Sequence, residues 1–327
     1  MRALTATNYD GPAAMALTER QTPEPGPGQV TVEVSYAGIG FVDGLFASGF
    51  ASVPLPFVPG LEVAGRVRAV GEGVIGLSVG EGVAALPIKT SGGYAEVVAV
   101  DAGLVAPIPE GLDPATAAAT CTNTVTALAA LRRLGDITGA RVLVHAGVGG
   151  VGSQFGQVAR VLGADRVGAV VGAKDKARAA ADLGYDDAYL RADMTSVPEG
   201  AWDLVIDPVG GVATSAGLAQ LAAYGTLLRI GNASGAPAVP IDSTDLWLRG
   251  VAVAGFNLGA WTALHPQEVG ADLRRALDLV AAGRVRVEVT RQVPLERAGH
   301  ALQEVLDGAT RGKVVAAVQS RRSGGAA

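Results

Sequence analysis

The amino-acid sequence predicts an α/β protein in which a doubly wound parallel sheet is combined with a smaller β-rich domain. From residue 141 onward, apolar segments of strand length alternate with segments of helical periodicity, the pattern of a doubly wound sheet. The region up to about residue 115 instead holds short apolar or alternating segments between turns rich in glycine and proline, as in a small, partly open barrel.

Composition narrows the class of protein and of partner. The 327 residues are 49% hydrophobic and 17% charged, which suits two domains with a sizeable core. The net charge of -5 and the lack of runs of like charge argue against nucleic acid as a partner. The N-terminus lacks the apolar core of a secretory signal, and no apolar run reaches the ~18 residues of a membrane span. We therefore expect a cytoplasmic protein without membrane contact.

The β-rich domain is predicted to begin with a series of strands separated by turns. We place these strands at 3–7, 16–20, 29–37, 60–70, 83–87 and 94–100. A helix is predicted over 113–134, because Asp113 suits the N-cap, Pro114 suits the first helical position and Gly135 ends the pattern. This helix is expected to bridge the two domains.

A strand, a glycine-rich turn and a helix then follow one another in the order that a dinucleotide site needs. Residues 141–145 form the predicted strand and residues 153–162 the helix. Gly147 and Gly149 are expected to adopt backbone angles closed to other residues, and Gly152 to let the helix pack closely on the strand. The helix N-terminus would present unpaired N–H groups and the positive end of its dipole to a pyrophosphate.

The end of the next predicted strand, 166–172, distinguishes the two nicotinamide dinucleotides. An NAD site usually has Asp or Glu at this point, whereas an NADP site has cations for the 2′-phosphate. Gly172 ends the strand, and three cations follow it: Lys174, Lys176 and Arg178. Asp175 is contrary evidence, although a carboxylate at a helix start is equally explained as a cap or dipole partner. We therefore favour NADPH.

The remaining segments continue the alternation of strands and helices. Strands are predicted at 202–207, 225–231 and 251–256, and helices at 176–183 and near 214–222. We expect a return to the β-rich domain through a helix at 267–282, a strand at 288–293, a helix at 295–307 and a strand at 314–319. Residues 320–327 are polar or small, and we expect a mobile tail.

Several segments occur in an order and spacing typical of one enzyme family. They are PLPFVPGLEVAGRVRAVGEGV (54–74), GGYAEVVAV (92–100), VLVHAGVGGVG (142–152), WDLVIDPVGG (202–211), GTLLRIGNASG (225–235) and RGKVV (311–315). Through them the chain resembles, over nearly its whole length, the zinc-independent quinone oxidoreductase (ζ-crystallin-like) branch of the medium-chain dehydrogenase/reductase superfamily. The resemblance implies a GroES-like, partly open β-barrel domain of residues 1–117 and 262–327, split around a Rossmann domain of residues 118–261.

The resemblance also implies an activity and an assembly. Members of this branch transfer hydride from NADPH to quinones or to activated double bonds such as those of α,β-unsaturated carbonyl compounds. Many are homodimers joined by edge strands of their Rossmann sheets, and residues 251–259 stand where that edge strand would be. A buried strand is the alternative interpretation of this segment.

The ligands of a catalytic zinc ion are missing from the sequence. Zinc alcohol dehydrogenases of the superfamily have a histidine at the position of Leu61, together with cysteine ligands, whereas Cys121 is the only cysteine here. The three histidines, His145, His265 and His300, do not restore a close metal-ligand spacing. We therefore expect no metal. His145 at its strand end and Cys121 in its apolar helix are expected to be packed, buried residues.

Cofactor contacts carry over from the family position by position. The pyrophosphate turn corresponds to Gly149, Gly150, Val151 and Gly152. The 2′-phosphate side corresponds to Gly172, Lys174, Lys176 and Arg191, and the nicotinamide side to Asp207, Val209, Gly231 and Asn232. Lys313 lies in the last family motif.

Three of these assignments have alternatives. Arg191 replaces a tyrosine that often packs against the phosphate, and it is equally explained as a surface cation. Asp207 precedes a proline and also suits a turn. Lys313 is equally explained as a solvated lysine.

The substrate side departs from the family pattern. In GIGFVD (38–43) the family usually has asparagine at the position of Gly40, and Phe50 stands near a customary tyrosine. We therefore expect an apolar pocket that depends on an electrophilic substrate, with solvent or a remote donor completing protonation. Polar candidates are Asn123, Thr126 and Asn257, and stacking candidates are Phe41, Phe50 and Trp261. Each of them has an alternative role on a helix surface or in the core, and no catalytic residue is assigned.

Two other functions stay open. One is an enoyl-thioester reductase of a lipid or polyketide pathway, which would need an entrance for a phosphopantetheine carrier. The other is a protein that binds NADPH without turnover, which the loss of asparagine at Gly40 would fit.

Overall fold

The computed structural model describes residues 1–51 and 53–318, whose contacts divide the chain into two compact units. The first unit contains residues 1–125, 262–282 and those from 287 onward, and the second contains 126–261 and 283–286. The domain limits predicted from the sequence, 117/118 and 261/262, remain our proposal. The tail predicted at 320–327 lies outside the described residues.

Short strands form most of the first unit up to residue 107. The strands are β1 (Arg2–Thr5), β2 (Ala16–Glu19), β3 (Gln29–Gly38), β4 (Val63–Val70), β5 (Gly82–Ala85), β6 (Val97–Asp101) and β7 (Val105–Pro107). Helix α1 (Phe41–Ala47) lies between β3 and β4, and helix α2 (Pro114–Arg133) follows β7. The predicted helix at 113–134 is thus confirmed. Its N-terminus is capped by Asp113, whose carboxylate accepts from the Thr116 amide at 2.9 Å.

Strands and helices alternate through the second unit. Their bounds are β8 (Arg141–His145), α3 (Gly152–Val161), β9 (Arg166–Val171), α4 (Lys174–Asp182), β10 (Asp187–Leu190), β11 (Trp202–Asp207), α5 (Val212–Gln220), β12 (Leu221–Arg229), α6 (Ser243–Arg249) and β13 (Ala252–Gly255). The six strands form one sheet in the order β10-β9-β8-β11-β12-β13, and all neighbouring strands are parallel. This is the predicted doubly wound sheet.

The last part of the chain returns to the first unit, as the sequence predicts. It contains α7 (Leu258–Leu264), which begins in the second unit, α8 (Pro266–Ala281), β14 (Val289–Pro294), α9 (Ala298–Leu306) and β15 (Lys313–Ala317). The larger sheet of the first unit runs β14-β15-β3-β4-β5-β7, with β6 also paired to β3. β15 joins β3 antiparallel, so the C-terminal segment completes the N-terminal sheet.

Several short elements had no signal in the sequence pattern. Helices α1 and α6 have seven residues each, too few for helical periodicity to stand out. Strand β10 reads DAYL and forms through its pairing with β9. The helix predicted near 214–222 ends at Gln220 instead, because Leu221 already pairs with Trp202 at the start of β12. Among the described helices, none is long and apolar enough to cross a membrane.

The core of the second unit packs around Trp202. This fully buried ring lies in a cluster with Leu143, Val170, Val205 and Leu227 from four neighbouring strands. Gly168 of β9 faces the ring so closely that a Cβ there would lie 2.6 Å from the Trp202 Cη2 atom. The glycine therefore makes room for the largest side chain of this core.

We expect Gly168→Ala to lower the free energy of unfolding by about 1–3 kcal/mol, because the added methyl group must displace a buried ring. Gly82→Ala in β5 is the matched control, since a Cβ at Gly82 meets no atom within 4 Å. We expect this control to change stability by less than about 0.5 kcal/mol. Urea unfolding of both variants measures the difference, and equal stabilities would contradict the packing argument.

Candidate functional site

The carboxyl end of β8 leads into a turn that brings α3 very close to the strand. A Cβ on Gly152 would lie 2.2 Å from the carbonyl oxygen of Ala146, and one on Gly147 would lie 2.6 Å from the Ala169 Cβ. The expectation that Gly147 and Gly149 have backbone angles closed to other residues is not supported by a positive φ. Ala146 has the positive φ of this turn, 51°. Close contact, rather than a left-handed backbone, explains the glycines at 147 and 152.

The outer side of the same turn is open. Gly149 and Gly150 are exposed, and the Gly149 amide donates to the Ala146 carbonyl at 2.8 Å. Gly150 and Val151 immediately precede α3, where the first N–H groups of a helix have no partner within the helix. The turn therefore offers exposed backbone and the positive end of a helix dipole to an anion.

Tyr185 supports this turn from inside the protein, a role that the sequence analysis missed. Its buried hydroxyl lies 2.9 Å from the Gly147 carbonyl oxygen and 2.8 Å from that of Gly152. Burial raises the pKa of Tyr185 far above its usual value, so the hydroxyl stays protonated and can donate. The ring crosses α3 at Gly156, where a Cβ would lie 2.3 Å from the Tyr185 Cζ atom. A glycine in the middle of the predicted helix was the available signal.

Exposed cations surround the end of β9. Lys174 and Lys176 lie in the first turn of α4, and Arg191 directly follows β10. The Arg191 guanidinium lies beside Gly172, with its Nη2 atom 3.8 Å from where a Cβ on that glycine would be. Arg191, at the end of the neighbouring strand β10, thus lies beside Gly172 at the end of β9, which Lys174 and Lys176 follow.

The end of β11 is tied together by Asp207. Its buried carboxylate accepts from the amides of Val209 and Gly210 at 2.8 and 2.9 Å, from the Thr214 hydroxyl at 2.6 Å and from Arg229 at 2.7 Å. Burial by itself raises the pKa of Asp207, but these hydrogen bonds and the Arg229 charge outweigh it and hold the pKa below its usual value. Asp207 therefore has the turn role that the sequence analysis left open.

The turn after β12 joins the turn after β11. The amides of Ala233 and Ser234 donate to the carbonyls of Pro208 and Val209 at 3.0 and 2.9 Å. Gly231 and Asn232 are exposed at this junction. Because parallel strands end on the same edge of a sheet, the predicted cofactor residues of the second unit all lie along its carboxyl edge.

Lys313 lies in the first unit and is buried. Its ammonium group donates to Glu62 and, at 3.4 Å, to the Ile39 carbonyl. Glu62 also accepts from the amide of Thr122 at 2.8 Å and from its hydroxyl. The alternative of a solvated lysine is wrong, because the side chain forms a buried ion pair.

A second buried carboxylate, Asp43 of α1, lies in the same unit. It accepts from the Gly60 amide at 2.9 Å and from the Tyr94 hydroxyl at 3.2 Å. Burial raises the pKa of Asp43 to about 7, with a smaller contribution from the charge of Glu62, while the Gly60 and Tyr94 hydrogen bonds and Lys313 oppose the rise. In the sequence this aspartate is the last residue of the segment GIGFVD (38–43) and had no assigned role.

The six substrate-side candidates are divided between the units. Phe41, Phe50 and Asn123 belong to the first unit, and Thr126, Asn257 and Trp261 to the second. Phe50 is 71% exposed. Asn257 accepts from the Ala260 amide at 2.9 Å and so caps α7. The Trp261 ring lies against Phe256 and the Arg133 guanidinium, with centroid distances of 6.2 and 5.6 Å.

The residues considered for metal binding are dispersed. Leu61 is buried, and Cys121 is fully buried in α2, as expected. His145 is also buried and hydrogen-bonded to Gln220 at 3.0 Å, and burial lowers its pKa. Within 1–51 and 53–318, no group of three or more His, Cys, Asp or Glu side chains could hold a metal ion.

Family models match both parts of the chain. The model described as alcohol dehydrogenase GroES-like domain matches residues 26–110, and the one described as zinc-binding dehydrogenase matches residues 181–315. These matches agree with a barrel domain early in the sequence and a dehydrogenase domain after it.

Individual proteins resemble the chain over nearly its whole length. A quinone oxidoreductase of Pseudomonas aeruginosa is 31% identical over 317 residues, covering 94% of this chain and 96% of that protein. The pikromycin polyketide synthase component PikAII of Streptomyces venezuelae is 34% identical over 94% of this chain, which spans only 8% of that synthase. The structure of Escherichia coli quinone oxidoreductase complexed with NADPH superimposes with a TM-score of 0.89 at 26% identity, covering 97% of this chain and all of that one.

We expect Tyr185→Phe to lower the free energy of unfolding by about 1–3 kcal/mol, because it removes the buried hydroxyl that donates to the glycine turn while the ring still fills its place. Tyr224→Phe is the control, since Tyr224 is 86% exposed. Chemical unfolding compares the two. A Tyr185→Phe variant as stable as the control would contradict the supporting role.

Proposed function

The chain belongs to the quinone oxidoreductase branch of the medium-chain dehydrogenase/reductase superfamily, and we propose that it transfers hydride from NADPH to a quinone or an α,β-unsaturated carbonyl compound. The observation that carries the proposal is the carboxyl edge of the parallel sheet. There the open glycine turn follows β8, and exposed cations follow β9 and β10. The turns after β11 and β12 are hydrogen-bonded to each other. This is the edge at which doubly wound sheets bind dinucleotides.

The residues at this edge fit NADPH. Gly149, Gly150, Val151 and Gly152 would hold the pyrophosphate, since the turn is open outside and closely packed inside. The 2′-phosphate carries two negative charges that suit the cations beside Gly172, namely Lys174, Lys176 and Arg191. Val209, Gly231 and Asn232 would line the nicotinamide side. Asp207 would act indirectly, because its carboxylate is fully engaged in holding the turn.

The reaction asks little of the protein beyond positioning. Bound NADPH supplies a hydride, which is one hydrogen with two electrons, and the acceptor also takes up a proton. A quinone or enone already draws the developing charge onto its own oxygen, so orientation and one or two hydrogen-bond donors suffice. In the second unit, Trp261 would stack on a flat acceptor, with Thr126 as a polar contact.

We also propose that the reaction uses no zinc. Leu61 occupies the position of a zinc-ligating histidine in the superfamily's zinc enzymes, and Cys121 is buried. Lys313, which lies in the last family motif, is paired with Glu62 inside the first unit. A zinc-polarised carbonyl is therefore no part of the proposed chemistry.

An enoyl thioester is the second candidate acceptor. The 34% identity to a polyketide synthase component favours it, although the chain spans only 8% of that component. An enoyl thioester is itself an α,β-unsaturated carbonyl compound, so the same hydride chemistry applies. We further propose a homodimer joined through β13, one of the two edge strands of the parallel sheet. The alternative to an enzyme is a protein that binds NADPH without turnover.

Anaerobic NADPH consumption by the purified protein tests the function. The acceptors are ortho- and para-quinones, simple enones and enoyl thioesters, each with NADH run in parallel. We expect turnover with quinones or enones, a preference for NADPH and no loss of rate after treatment with a zinc chelator. Saturable NADPH binding without turnover of any acceptor would contradict an oxidoreductase and favour a binding protein.

Arg191→Ala tests the cofactor preference separately. We expect the KM for NADPH to rise by about tenfold or more, because a charge-assisted hydrogen bond to phosphate contributes roughly 1.5–3 kcal/mol. The KM for NADH should stay within about twofold, since NADH lacks the 2′-phosphate. Arg274→Ala, an exposed arginine of α8, is the control. Equal changes in KM for the two cofactors would contradict a phosphate contact at Arg191.

A further inference from the structure

Arg229, the last residue of β12, connects three segments at the carboxyl edge of the parallel sheet. Its Nη1 atom donates to Asp207 Oδ2 at the end of β11 at 2.7 Å, and to the Thr214 hydroxyl of α5. Its Nη2 atom donates to the Gly231 carbonyl at 2.8 Å, in the turn after β12. One guanidinium group therefore holds the turns after β11 and β12 together.

The Asp207 carboxylate is saturated by this arrangement. Oδ1 accepts from the Val209 and Gly210 amides, and Oδ2 accepts from Thr214 and Arg229. These four donors fill the lone-pair positions of a carboxylate. Asp207 is fully buried, and Arg229 supplies the opposite charge. The turn after β11 is thus tied to a cation whose second nitrogen reaches the next turn.

The two turns also pack directly on each other. A Cβ on Gly210 would lie 2.0 Å from Asn232 Oδ1 and 3.2 Å from Arg229 Nη2. Gly210 has a φ of 84°, a conformation that other residues rarely adopt. Gly231 and Asn232 are exposed, whereas Gly210 is buried. The position of the exposed turn after β12 therefore depends on its contact with the turn after β11.

We propose that Arg229 is a positioning residue for the nicotinamide ring. By bonding both turns at once, it fixes the surface that Val209, Gly231 and Asn232 present to the ring. This inference rests on the proposed binding of NADPH and deepens it, because it names the residue that sets the nicotinamide end of the site. Arg229 does not itself contact the cofactor in this scheme. A surface that is already ordered binds a ring more tightly, since less freedom is lost on binding.

The role calls for a guanidinium group, because its two acceptors lie in different turns. Arginine carries donors on separate terminal nitrogen atoms in one plane, whereas lysine has a single nitrogen atom at the end of a flexible chain. Arg229→Lys therefore keeps a positive charge opposite Asp207 but is expected to hold only one of the two turns. Since Asp207 keeps a charged partner, we expect this variant to fold.

The features that suit phosphate lie at other strand ends. The glycine turn follows β8, and Lys174, Lys176 and Arg191 follow β9 and β10. A change at Arg229 should therefore weaken the nicotinamide end of the cofactor site and leave the phosphate end as it is. A general loss of structure would weaken both ends.

Two variants and a matched control test this role. Arg229→Lys releases one turn, and Gly210→Ala pushes the two turns apart while Arg229 stays in place. The control is Arg249→Lys in the same unit, because the Arg249 guanidinium donates to the Leu218 and Leu221 carbonyls at 3.0 and 2.9 Å. Leu221 begins β12, so these contacts lie at the opposite end of that strand from Arg229.

The first readout is binding, measured by isothermal titration calorimetry with NADPH and with 2′-phospho-ADP-ribose. The second ligand has the pyrophosphate and the 2′-phosphate but no nicotinamide. We expect Arg229→Lys and Gly210→Ala to raise the Kd for NADPH about tenfold, the effect of one lost hydrogen bond to a charged group. The Kd for 2′-phospho-ADP-ribose should stay within about twofold, and the control should match the wild type with both ligands.

The second readout is the rate of quinone reduction with NADPH and with NADH. We expect kcat of both variants to fall about tenfold or more with either cofactor, because the nicotinamide carries the transferred hydride and a small displacement slows the transfer. The two cofactors share the nicotinamide, so the change should be the same for both. Arg191→Ala, in contrast, should separate them.

Unchanged NADPH affinity in Arg229→Lys would overturn the role of Arg229, and so would an equal loss of affinity for the two ligands. The same two results in Gly210→Ala would do so if Arg229→Lys does not fold. Either result would leave NADPH binding by the wild type intact. A wild-type protein that binds neither ligand would instead overturn the proposed function, and this inference with it.

Discussion

The close approach of α3 to β8 is the constraint on which the second unit depends. At Gly152 even one methyl group would lie 2.2 Å from the Ala146 carbonyl oxygen, so the helix can begin where it does only without a side chain there. The buried Tyr185 hydroxyl then lies within hydrogen-bond distance of the carbonyl oxygens of Gly147 and Gly152, at the two ends of the turn. The result is a turn that is rigid on its inner side and exposed at Gly149 and Gly150. Rigid, exposed backbone at a helix N-terminus is what anion binding requires.

The first unit is organised by buried polar groups instead. Lys313 and Glu62 form an ion pair that joins the last strand of the chain to the loop before β4, and Thr122 of α2 hydrogen-bonds the same carboxylate. A buried charge without a partner is strongly unfavourable, so these three segments must come together for the unit to fold. Asp43 connects α1 to the Gly60 loop and to Tyr94 in the same way. Asp43, Glu62 and Lys313 are thus polar groups that are buried together with their partners.

The two units are built in different ways. The edge of the parallel sheet presents exposed backbone and cations, which suit a long, anionic cofactor. The first unit instead buries a carboxyl group, and this burial raises the pKa of Asp43 to about 7. Sequence patterns indicated the features of the sheet edge, since glycine spacing and strand ends are local features. They left Asp43 unassigned, because a hydrogen-bond partner such as Gly60 or Tyr94 has no fixed distance along the chain from it.

The sequence by itself determined the parallel sheet, the glycine turn after β8 and the family, because each depends on periodicity or on residues adjacent in the chain. It also predicted the cations after β9. Only the tertiary structure decided that Tyr185 supports the turn and that Lys313 is buried. It also decided that the Asp207 carboxylate accepts hydrogen bonds from Arg229 and Thr214. The physical reason is separation: Glu62 and Lys313 are 251 residues apart, and only the folded sheet brings their charges together.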